Sequence, residues 1–104
     1  MIHQFDVVAN PDPEEAAHWP YLLVLQSDLI AGLRSTVVAP LVNRNEFEGA
    51  RRLNPTITVD GREFLLATHE LFAVEQRMLQ KKVATLSEDR YTIMGALDFL
   101  FTGV

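Results

Sequence analysis

The segment TITVDGREFLLAT, residues 56–68, constrains the fold more than any other stretch of the chain. Thr56, Ile57, Thr58 and Val59 are β-branched, and such residues favour the pleated, half-buried surface of a strand. Asp60-Gly61 follows, a pair suited to the two-residue turn that joins neighbouring strands. Glu63 to Ala67 then supplies the return strand. The two arms and the turn between them form one hairpin.

Flanking segments add to that hairpin. HQFDVVA, residues 3–9, reads as a short strand with Phe5, Val7 and Ala9 on one side. It stops at NPDPEE, where two prolines and an asparagine interrupt regular structure. The following AAHWP continues the loop, with Pro20 holding Trp19 extended. YLLVLQSDLI, residues 21–30, is a short apolar run between Pro20 and Gly32, which predicts a strand buried on both faces. STVVAPLV, residues 35–42, is richer still in β-branched residues, and Pro40 places its end at a sheet edge or bulge.

Residues 43–54 turn polar and charged, a loop with a helical turn. HELFAVEQRML, residues 69–79, admits a helix or a loop leading into a strand, and a strand over Gln76–Leu79 is the assignment taken. At the C-terminal end Ser87 is the expected N-cap, with Glu88 and Asp89 placing negative charge in the first helical turn. Leu86 and Tyr91 have the spacing of a hydrophobic staple. Ile93, Met94, Leu97, Leu100, Phe101 and Val104 follow a helical period, and Gly103 sits where helices end. A helix over 88–101 would be roughly 21 Å long. The chain reads as one mostly-β domain, residues 1–104, closed by a C-terminal helix.

Composition excludes several function classes. The 104 residues contain no cysteine, so disulfides, thiol nucleophiles and cysteine-bound metals are ruled out. No apolar run approaches the ~20 residues that span a bilayer, and MIHQFDVV lacks the features of a signal peptide, so a cytoplasmic protein without membrane contact is expected. Fourteen acidic against nine basic residues give a net charge of −5. Polyanion binders gain affinity by neutralising phosphates with Lys and Arg, so direct nucleic-acid binding is not expected, Arg44, Arg51 and Arg52 being the one local basic patch.

Catalytic signatures are sparse. His3, His18 and His69 are not spaced as metal ligands, and HELFA lacks the second histidine of a zinc-protease helix. Ser27 and Asp28, adjacent on the expected strand, would point to opposite faces. Arg44, Glu46, Glu48, Arg51 and Arg52 read as a solvated loop of mixed charge, with an acid/base site for phosphodiester cleavage as the sharper alternative. No catalytic residue, metal or cofactor is assigned. The feature that composition leaves open is the ending GALDFLFTGV: Phe99, Leu100, Phe101 and Val104 surround the helix instead of lining one face. A helix end apolar all round is either enclosed or kept for another chain.

VLQSDLI, VVAPL, the single hairpin and ATLSEDR before a terminal helix, in this order and spacing, resemble the CcdB family of toxins from toxin–antitoxin systems. The best-matching pieces are Gln26-Ser27-Asp28, Pro40-Leu41, Leu86-Ser87 with Arg90, and Thr102-Gly103-Val104. The resemblance runs along nearly the whole chain. It implies an SH3-like barrel or antiparallel sheet with a C-terminal α-helix, the architecture shared with MazF/Kid toxins, assembled as a homodimer. It also implies a non-enzymatic protein that binds the DNA gyrase A subunit and traps the cleaved gyrase–DNA complex. The implied neutralising partner is a CcdA-like antitoxin whose disordered C-terminal segment folds on binding. The implied gyrase-binding residues are Leu29, Ile30, Asp98, Phe101, Thr102, Gly103 and Val104, with a free carboxylate at Val104 on the same surface. Phe99 and Leu100 would pack against the sheet or the second subunit. Well-known members carry Trp before the final Gly where this chain has Thr102, which keeps open a CcdB-like binding module that has lost gyrase poisoning; a second alternative, a MazF/Kid-like endoribonuclease, follows from the shared barrel, with the acidic balance and scarcity of lysine against it.

Overall fold

A computed structural model describes residues 2–46 and 49–104, the Glu46 side chain excepted. Its strands are β1 (Asp6–Ala9), β2 (Tyr21–Val24), β3 (Ser35–Asn43), β4 (Thr56–Val59), β5 (Arg62–Leu66), β6 (Phe72–Glu75) and β7 (Lys82–Thr85), and helix α1 (Arg90–Thr102) follows. All pairings are antiparallel, in the order β4-β5-β3-β2-β1-β7, with β6 also bound to β3. The expected mostly-β fold with a C-terminal helix is therefore the fold observed.

The sheet is a curled half-barrel. Laid flat, β4 and β1 would stand about 19 Å apart at the usual strand spacing. Yet Ile57 and Val59 of β4 share one core with Phe5 and Val7, with Leu23, Leu41 and Phe64 between them and Ile93 of α1 closing it. Alternate residues go to the outer face: Val8, Leu22, Val24 and Val38 are covered by Leu79, and Val42, Leu65 and Ala67 by Trp19. Both faces of the central strands are buried, which explains why β2 and β3 are continuous apolar runs instead of alternating ones.

The hairpin forms where the sequence places it, with Ile57 opposite Phe64 and Asp60 and Gly61 at φ +50° and +78°. Pro40, in contrast, is not at an edge. It lies buried inside β3 opposite Leu22. The Ala67 amide donates to the Pro40 carbonyl at 2.9 Å, so the side of Pro40 that lacks an N–H faces the junction where β3 passes from β6 to β5. No ladder bond is lost there, and this is how a central strand tolerates proline.

Further expectations are corrected. The strand expected over residues 21–30 ends at Val24, and Asp28–Ile30 form a 3-10 turn capped by Ser27. Leu29 and Ile30 are therefore exposed, at 95% and 50%, and Ser27 and Asp28 are not strand neighbours. The strand expected over Gln76–Leu79 lies earlier, as β6, and Gln76–Met78 are a 3-10 turn. Strand β7 was not anticipated. Ser87 makes no capping bond: a 3-10 turn, Ser87–Asp89, precedes α1, which starts at Arg90. Tyr91 is 85% exposed, so the staple to Leu86 does not hold, and Met94, on the expected apolar period, is exposed too.

Candidate partner-binding surface

Helix α1 docks by its middle. Ile93 and Ala96 are fully buried and Leu97 packs on the same core. Its beginning lies near Phe5, with the Arg90 guanidinium 6.0 Å from that ring. Beyond Leu97 the helix emerges from the sheet. Phe99 and Leu100 are half-buried, whereas Asp98, Phe101, Thr102, Gly103 and Val104 are exposed, Phe101 at 69% and Val104 at 74%.

The emergent turn is well formed. The Thr102 hydroxyl donates to the Asp98 carbonyl at 2.7 Å. Gly103 ends the helix in the left-handed region at φ +76°, and its amide donates to the Phe99 carbonyl at 3.0 Å. A left-handed residue at this position satisfies a carbonyl that the helix leaves open, and glycine adopts it without a Cβ clash. Arg52 reaches across from the preceding loop. Its guanidinium stands 4.9 Å above the Phe99 ring, and Nη2 donates to the Val104 main-chain oxygen at 2.6 Å.

Leu29 and Ile30 belong to another element. Their turn is held by Gln26, whose amide donates to the Ile30 and Ser35 carbonyls and accepts from the Val37 amide. Asp28 accepts from the Gln4 amide at 2.9 Å and faces His3 Nδ1 at 3.4 Å. This turn follows Val24, which accepts from the Phe5 amide, so it lies toward the end where α1 begins. The tip lies at the other end of a thirteen-residue helix, about 20 Å long. The structure thus brings Asp98 to Val104 together at the C-terminal end of α1 and sets Leu29 and Ile30 on a separate turn. Among the described residues no hydrogen bond or ion pair links the two segments.

Other candidates stand as follows. Ser27 Oγ accepts from the Leu29 amide at 3.1 Å, a turn cap instead of a nucleophile's arrangement. His3 is near Asp28, and His69 is near Glu70 and Asn54. No group of three or more potential metal-binding side chains occurs among the described residues. Arg44 bonds Thr56 at 2.9 Å and pairs with Glu63 at 3.7 Å. The Glu46 side chain and Glu48, expected in the same charged loop, lie outside the described residues. A cavity of about 600 Å³ lies on the outer face between Glu14, His18, Trp19, Val42 and Glu70. Among the described residues no helix is long and apolar enough to cross a membrane. Sequence reasoning missed the pairing of Arg52 with the tip. The basic patch was visible, but its destination 52 positions away was not.

A curled antiparallel sheet, closed by one helix whose apolar tip stands in solvent, defines a class of small half-barrel proteins. The sequence profile of the CcdB protein family matches residues 4–103, and the chain belongs to that family. This makes it a toxin of the toxin–antitoxin kind, with an antitoxin as its kind of partner. No curated protein matches the chain.

Proposed function

We propose that this protein acts by binding the DNA gyrase A subunit and holding the enzyme in its covalently cleaved complex with DNA. In this reading residues 1–104 form one cytoplasmic domain that carries out no catalysis, and a CcdA-like antitoxin neutralises it. The observation that carries the reading is the helix tip. Phe101 and Val104 are large apolar groups left exposed on an ordered turn. Exposed apolar anchors on a rigid element are what protein interfaces bury first. The contact surface is Asp98, Phe101, Thr102, Gly103 and Val104, with Leu29 and Ile30 as a second apolar point.

Two copies related by a two-fold axis would present two tips to one target. Because Leu29 and Ile30 lie away from the tip within one protomer, such pairing is also the route by which both segments can serve one surface. Sedimentation equilibrium at micromolar concentration is expected to give twice the chain mass of 11.7 kDa; a monomer throughout that range would remove the paired arrangement.

Thr102 weakens the contact relative to family members with Trp there, because a large flat anchor contributes about 2 kcal/mol or more at a binding interface. Incubation with gyrase, ATP and supercoiled plasmid, followed by detergent and protease, is expected to release linear DNA. Intact plasmid at saturating protein would instead support the binding module without poisoning, and cleavage of an unstructured RNA would support the endoribonuclease.

A further inference from the structure

We propose that Arg52 is a positioning residue for the helix tip, and that Asn54 anchors Arg52 to the sheet. The inference deepens the partner-binding reading above by naming what holds its surface in place.

Asn54 is 4% exposed, and its side-chain polar atoms are both engaged. Its Oδ1 accepts from the Ala50 amide at 2.9 Å, and its backbone amide donates to the Ala50 carbonyl at 2.7 Å. Its Nδ2 donates to the Leu66 carbonyl at 3.0 Å and lies 3.2 Å from His69 Nδ1. The turn over residues 50–54 is thereby fixed to β5. Gly49 shows how close the fit is: a Cβ there would stand 2.8 Å from the Asn54 Cβ.

Arg52 leaves this turn and meets the tip twice, by its face on Phe99 and by Nη2 on the Val104 oxygen. A planar guanidinium can stack and donate at the same time, whereas an ammonium cannot reproduce both contacts. The Phe99 carbonyl is also the acceptor for Gly103. One side chain therefore braces both ends of the segment that carries Phe101. Without it, the last turn would depend on its own few bonds, and helix ends fray readily. A frayed tip must be ordered again when a partner binds, at a cost in affinity.

Hydrogen exchange and partner titration on the full chain test this. In Arg52→Ala the Gly103 amide is expected to exchange about tenfold faster, while the melting temperature moves by less than about 3 °C. Arg52→Lys should recover only part of the protection, and Arg77→Ala, which removes an exposed pair with Glu75, should change nothing at the tip. Binding to purified gyrase A subunit should weaken about fivefold or more in Arg52→Ala. Unchanged Gly103 exchange in Arg52→Ala, or full protection in Arg52→Lys, would overturn the positioning role. If Arg52→Ala frees Gly103 but the wild type does not bind the gyrase subunit, the brace stands and the gyrase reading falls.

Discussion

Phe101 and Ile93 lie eight positions apart on one helix, and their environments are opposite: 69% exposed against fully buried. Removing the Ile93 side chain leaves a cavity between α1 and the sheet, and such truncations cost about 2–5 kcal/mol. Removing Phe101 opens no cavity in the protomer, and surface substitutions of that kind stay within about 0.5 kcal/mol. Urea unfolding of dilute protein should therefore show Ile93→Ala strongly destabilised and Phe101→Ala near wild type. A large loss in Phe101→Ala would mean that the tip belongs to the protomer's core. Phe5 makes a related point. It holds φ +70°, a strained value for an aromatic residue, and the strain is offset by its buried ring and by main-chain bonds to Val24 and Leu86.

At the scale of elements, legibility followed the strength of local signals. The β4–β5 hairpin was readable because β-branched residues and Asp60-Gly61 agree on one geometry. The core half of α1 and its end at Gly103 were readable from helical spacing and from glycine's tolerance of positive φ. Strands β6 and β7 were not. Each has four residues, none of them fully buried, so neither a buried run nor a strict alternation marks them. The Gln76–Leu79 stretch misled because Leu79 alone is buried there, as a plug on the outer face of the sheet. Pro40 misled for a different reason: its compatibility with a central strand depends on where β3 exchanges partners, which is a property of the whole sheet. The same limit applies to the surface. Family resemblance pointed to the tip residues, but the brace from Arg52 and the separate turn carrying Leu29 depend on contacts between distant segments.

The whole molecule combines a net charge of −5 with an apolar, braced protrusion. Net negative charge disfavours approach to nucleic acid phosphates, so the proposed action on a gyrase–DNA complex would be directed by its protein component. Large apolar side chains are exposed at several places among the described residues: Leu29, Ile30 and Leu33, Phe72 and Met78, Tyr91 and Met94 along α1, and Phe101 and Val104 at its tip. Of these, the proposed gyrase contact uses the tip, where Phe101 and Val104 flank the Gly103 cap of α1. Calorimetric titration of the gyrase A subunit with wild-type protein and with a variant lacking Thr102–Val104 measures this directly. The predicted result is saturable binding by the wild type and a loss of about a hundredfold or more in the truncated protein, with its circular dichroism spectrum unchanged. Equal affinity of the two proteins for the gyrase subunit would contradict it.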